Sequence, residues 1–86
     1  EEVNLVNVSI QNIVTFEDYK KSKEVIEGMV TIKNLNINKF DKNIISYQLS
    51  IFGDINSFIK ELTSNNFFQV KGISVENLSI DLSYIK

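Results

Sequence analysis

The chain contains no cysteine, histidine, tryptophan or proline, and its nine basic residues are all lysine. Without Cys or His there is no thiol nucleophile, no disulfide, no thiolate metal site and no imidazole to move a proton near neutral pH. Without Arg there is no planar five-donor fork to grip phosphate or carboxylate bidentately. Eleven acidic residues set against nine Lys leave a net charge of −2. That balance lacks the basic excess on which nucleic-acid binding draws. No apolar run approaches the roughly 18 residues of a helical membrane span, and no secretory leader pattern opens the chain. Gly28, Gly53 and Gly72 are the only glycines, too few and too far apart for a phosphate cradle. Each is read as a strand-end or bulge residue.

The 86 residues that are present, 43% apolar and 23% charged, have the composition and length of one globular domain spanning residues 1–86. A chain this short buries a modest share of its surface, so little apolar area is left to line a deep substrate cleft.

Val6, Val8, Ile10, Val14 and Phe16 recur at even positions between polar residues, the period of a strand with one buried face running to Phe16. Across Glu17 to Gly28, Phe16, Tyr19, Ile26 and Met29 stand at roughly helical spacing and favour a helix over a charged turn. Met29 to Ile37 reads as a strand, with an apolar phase shift between Ile32 and Leu35 that predicts a bulge near Asn34. The polar stretch NKFDKN reads as a turn, followed by a strand through IISYQLSIF. Asp54 caps a helix whose stripe is Ile55, Phe58, Ile59 and Leu62, and Asn65-Asn66 stop it in left-handed geometry. FFQVKGISV and ENLSIDLSYI give the last β segments, either one bent strand or a hairpin around Gly72. The expected fold is α+β and ferredoxin-like, an antiparallel sheet with one or two helices on one face.

The candidate chemistry is thin. Ser57-Phe58-Ile59-Lys60 has Ser-x-x-Lys spacing, but nine Ser and nine Lys in 86 residues yield about one such tetrad by chance, and its usual partner motifs are missing. The pairs Glu17/Asp18, Glu24/Glu27 and Asp54/Glu61 have polar neighbours, whereas acid/base work needs one carboxyl of a pair desolvated. Asp41-Lys42-Asn43 and Asp54-Ile55-Asn56 begin like calcium loops but lack the later Gly and Glu. Asn7-Val8-Ser9 and Asn77-Leu78-Ser79 are glycosylation sequons of a kind that an Asn- and Ser-rich chain produces by accident. No enzymatic activity, cofactor, metal or small-molecule substrate is expected.

Phe67-Phe68 stands out, because adjacent strand residues point to opposite faces and both cannot enter one core. The terminal strands, Val3 to Phe16 and Leu78 to Ile85, are expected at exposed sheet edges. Leu78 to Ile85 carries only Asp81 as a charge and no Pro, so it reads as an unprotected edge open to strand addition. These readings make Phe67, Phe68, Leu78, Ile80, Leu82 and Tyr84 the expected interface.

From Met29 onward the chain resembles the extracytoplasmic domains of the PilO and PilN proteins of type IV pili and the related GspM and GspL proteins of type II secretion. The residues that carry the resemblance are the strand ending Leu49-Ser50-Ile51-Phe52-Gly53, the helix Ile55 to Leu62, the break Asn65-Asn66-Phe67-Phe68-Gln69-Val70 and the closing Ile73 to Tyr84. The resemblance implies a ferredoxin-like scaffold that pairs with itself or with a homologous ferredoxin-like subunit, without catalysis. It also implies a place on the extracytoplasmic face of the cell membrane, held by an anchor outside this chain, with no nucleic-acid partner. Residues Glu1 to Gly28 depart from the family, which has a coiled coil and then a helix where this chain has a strand. The competing expectation is a surface or adhesin-type binding domain that uses the loop from Asn38 to Asn43.

Overall fold

The structure is a computed structural model that describes residues 3–85. Its elements are β1 (Val3–Gln11), α1 (Phe16–Glu27), β2 (Ile32–Asp41), β3 (Ile44–Phe52), α2 (Ile55–Thr63), β4 (Phe68–Ser74) and β5 (Ser79–Tyr84). The five strands form one mixed sheet in the order β2-β3-β1-β5-β4, which makes this a small α+β domain. β1 pairs antiparallel with β3 and parallel with β5, while β2 is antiparallel to β3 and β4 to β5. The expected sheet was antiparallel throughout. The parallel pair arises because the β4–β5 hairpin places its second strand beside β1 and leaves β4 outside.

Period-two patterning puts one set of side chains on a single face. Val6, Val8 and Ile10 of β1, Ile45, Tyr47, Leu49 and Ile51 of β3, and Ile80, Leu82 and Tyr84 of β5 are all buried. They share one cluster with Ile26 of α1 and Ile55, Phe58 and Leu62 of α2, so both helices cover the same face. Each such side chain contributes about 1.5–3 kcal/mol through apolar area removed from water. The other face is largely polar, with Ser9 opposite Ser46 and their hydroxyls 3.3 Å apart, but Val3, Leu5 and Phe52 sit together at one end of it.

Several boundaries differ from expectation. β1 ends at Gln11, where Asn12 takes φ 69° and donates its side-chain amide to the Tyr84 carbonyl at 2.9 Å. That left-handed residue breaks the alternation, so Ile13 enters the core and Val14 faces solvent. Phe16 opens α1 instead of closing a strand. Thr15 and Asp18 form a capping box: the Thr15 hydroxyl accepts from the Asp18 amide and the Asp18 carboxylate accepts from the Thr15 amide, both at 3.1 Å.

β2 runs on to Asp41 and takes in most of the expected turn. The reversal uses Lys42 and Asn43 alone, both with positive φ as a two-residue hairpin demands, so there is no loop from Asn38 to Asn43. The bulge near Asn34 is present, and a second lies between Ile37 and Lys39. α2 is capped by Asp54, whose carboxylate accepts from the Ser57 amide at 2.9 Å. Donation from Ser57, first its amide and then its hydroxyl, holds the Asp54 carboxyl below its usual range. Asn65 and Asn66 do not adopt positive φ; Asn65 instead accepts the Phe67 amide on its side chain at 3.0 Å, a local turn. The final hairpin turns at residues 75–78, with Leu78 at φ 51°, while Gly72 marks a register shift inside β4.

One carboxylate joins α2 to the α1–β2 connection. Glu61 accepts from the amides of Val30 at 2.9 Å and Thr31 at 3.2 Å, and from the Thr31 hydroxyl at 2.6 Å. Burial alone would raise its pKa, but these three donors outweigh that and lower it. The ionised form is therefore favoured by folding, and its stabilisation is complete above the ordinary carboxylate range and lost as pH falls through the depressed value. Glu61→Gln is expected to cost about 1 kcal/mol near neutral pH, since the site is part-exposed. Urea melts from pH 7 to pH 3 should show the gap between wild type and variant closing at the acid end. A gap that stays constant would sink the assignment.

Tyr47 is fully buried, and its hydroxyl has no hydrogen-bond partner among the described residues. Burial pushes the phenol well above its usual range, and the neighbouring Tyr19 and Glu27 add to this. An unpaired hydroxyl in an apolar core costs its desolvation without return. Tyr47→Phe is thus expected to stabilise the domain by about 1 kcal/mol in denaturant melts. A loss of that size instead would show that the hydroxyl is bonded.

Candidate docking groove

The expected interface does not assemble as a surface. Ile80, Leu82, Tyr84 and Phe68 are core residues at most 8% exposed, and Phe67 and Leu78 pack half-buried against them. The two adjacent phenylalanines are both accommodated: Phe68 lies 6.1 Å from the Tyr84 ring, and Lys21 of α1 sits over Phe67 at 5.2 Å. β5 has a strand on either side and β1 is central, so neither terminal strand is an edge. The free edges belong to β2 and β4. A strand with one charge and three alternating apolar residues is what an inner position requires, and the missing edge protection of β5 has that cause.

The exposed apolar surface gathers elsewhere. Val14, Phe16 and Tyr19 at the start of α1 face Ile37 and Phe40 of β2 across a groove of about 470 Å³, with Thr15 between. Phe16 and Tyr19 stack at 5.9 Å between ring centroids, and Tyr19 and Phe40 at 6.1 Å, both tilted. Phe16 is 75% exposed, Val14 57%, Phe40 55% and Ile37 47%.

Local chemistry explains the placement. The capping box fixes where α1 starts, which sets Val14 and Tyr19 in the positions that flank a helix N-terminus as a hydrophobic staple. Ile37 and Phe40 face the helix side of the sheet, opposite Tyr47 and Ile45 in the register. No β2 side chain is fully buried, and from Asn36 onward all are exposed. The Thr15-Phe16-Glu17-Asp18 spacing was the sequence signal for the helix start, masked by the even-numbered alternation that Val14 and Phe16 happen to continue.

The groove offers a contact surface with few polar groups. Thr15 and Tyr19 bring its only hydroxyls, and Lys23 rests its ammonium 5.9 Å from the Tyr19 ring. The carboxylates weighed in the sequence have structural roles or face solvent: Asp18 and Asp54 cap helices, and Glu61 ties α2 to the α1–β2 connection. Ser57 and Lys60 are exposed on α2. Among the described residues no cluster of acidic side chains is placed to hold a metal ion, and no helix is long and apolar enough to cross a membrane.

No protein-family model matches the chain, and comparison with curated proteins and with solved structures yields no match. Fold and groove therefore define the class: a small α+β domain with a five-stranded mixed sheet and an exposed aromatic-aliphatic corner.

Proposed function

We propose that this is a non-catalytic protein-docking domain whose α1–β2 groove receives apolar side chains of a partner. One observation carries the reading: five large apolar side chains from the start of α1 and from β2 line one groove, and four of them are about half exposed or more. Scattered surface hydrophobics are ordinary, whereas a contiguous patch rimmed by polar residues marks an interaction site. A test that needs no prior partner is selection of displayed random peptides on the wild-type domain. Binders should lose affinity for the Phe16→Ser/Phe40→Ser double variant, which keeps its fold because both rings are largely exposed. Binders indifferent to the double variant, or none at all, would remove the proposal.

The finer setting is that of an assembly domain of the PilO and PilN kind, ferredoxin-like and on the extracytoplasmic face of the membrane. Its support is the order β1-α1-β2-β3-α2 with β3 between the parallel strands β1 and β2, the split arrangement of that fold. The parallel β1–β5 pair departs from it. Fractionation of the full-length gene product decides the location, and recovery in the cytosol would dismiss the setting without touching the groove.

A further inference from the structure

We infer that the groove's occupant is a short acidic segment of another protein carrying apolar anchor side chains, and not a second copy of this chain. The inference rests on the docking reading above and adds to it the size and charge of the partner.

The area argues first. The exposed parts of Val14, Phe16, Tyr19, Ile37 and Phe40 sum to on the order of 500 Å², well short of the ~800 Å² that each partner contributes to a stable pairwise interface. A groove of about 470 Å³ is nevertheless within the range of roughly 300–1,000 Å³ that encloses small ligand groups. Anchors on a short segment use such a site, and a flat face of a folded copy does not.

The guarding of the β2 edge argues next. Extension of the sheet by a copy's β2 would need a regular ladder, but this edge has two bulges, between Ile32 and Asn34 and between Ile37 and Lys39. It also carries Lys33, Lys39 and the turn residue Lys42 against Asp41 alone. Bulges and lysines are the devices that block edge pairing, and two copies would set six lysines against two aspartates.

The same charges favour an acidic visitor. The chain is net negative, yet this edge is net positive, and Lys23 adds an ammonium at the Tyr19 rim. Of the nearby carboxylates, Asp18 caps α1 and Asp41 lies 3.9 Å from Lys39, while Glu17 and Glu24 share a neighbouring hollow with Lys20 and Lys21. Acidic side chains flanking the anchors would meet Lys23 and Lys42 while the anchors leave water.

The test uses synthetic short peptides that alternate glutamate with leucine and phenylalanine, a version with lysine for glutamate, and a version with serine for the apolar residues. Titration into nitrogen-15-labelled protein should shift the amide signals of residues 14–19 and 37–40 with the acidic apolar peptide. Binding should weaken about tenfold for the lysine peptide and for the Lys23→Glu/Lys42→Glu variant, and vanish for the serine peptide and for Phe40→Ser. Equal or tighter binding of the lysine peptide overturns the acidic assignment and leaves the docking reading in place. The same signals shifting with protein concentration alone, with sedimentation showing a dimer, overturns it in favour of a second copy. Binding that survives both Phe16→Ser and Phe40→Ser overturns the inference and the docking reading together.

Discussion

Phe58→Ala is expected to lower the unfolding free energy by about 3–5 kcal/mol, the cost of deleting a fully buried aromatic ring and leaving a cavity. Phe58 is 0% exposed and sits on α2 between Ile55 and Leu62, the other two buried residues of that helix. The short α2 is held to the sheet through these three side chains, so the neighbours have little freedom to collapse into the space. A domain of this size has a total stability of about 4–13 kcal/mol at 0.05–0.15 kcal/mol per residue, so the loss is a large share of the whole. Lys60→Ala, two positions away and exposed, should change the melt by less than about 0.5 kcal/mol. Equal damage from both substitutions in guanidinium titrations would show that the helix is packed in another phase.

Ser79→Pro should prevent folding, because it disturbs both strand pairings of β5 and the turn before it at once. Two constraints meet at this position. β5 lies between β1 and β4, with Ser79 opposite Asn7 on one side and Ser74 on the other. A proline there removes a donor and sets a ring inside the sheet, where only edges tolerate it. The residue before a proline is also driven toward extended backbone, but Leu78 is at φ 51° with its carbonyl accepting the Asn7 amide at 2.9 Å. Forcing Leu78 out of that conformation breaks the link between the last hairpin and β1. Circular dichroism of the variant should show the β signal lost. A folded Ser79→Pro protein would mean that β5 is an edge after all.

Element by element, the sequence was most informative where the signal is local. α2 followed from a cap and an i, i+3, i+4, i+7 stripe, and its observed span Ile55–Thr63 agrees with that reading. The bulge near Asn34 followed from the slip in apolar phase between Ile32 and Leu35. The start of α1 was hidden because Val14 and Phe16 continue the parity of β1 across a left-handed Asn12, and parity says nothing about where a strand stops. The groove stayed hidden for a related reason: Val14 and Ile37 read as strand residues, Phe40 as part of a turn, Tyr19 as the apolar side of a helix, and Phe16 fits both strand and helix spacing.

Composition by itself determined that this domain has no thiol, imidazole or guanidinium to work with, and periodicity determined which side chains in each strand face a core. Both are properties of residues and their near neighbours. Which strands are inside and which are at the edge was decided only by the tertiary structure. Alternation reports a face and never a neighbour, and β5 acquires its place beside β1 through a hairpin whose second strand pairs at long range with the opposite end of the chain. The same long-range choice left β2 outside, and so created the apolar groove between α1 and β2 on which the docking proposal rests.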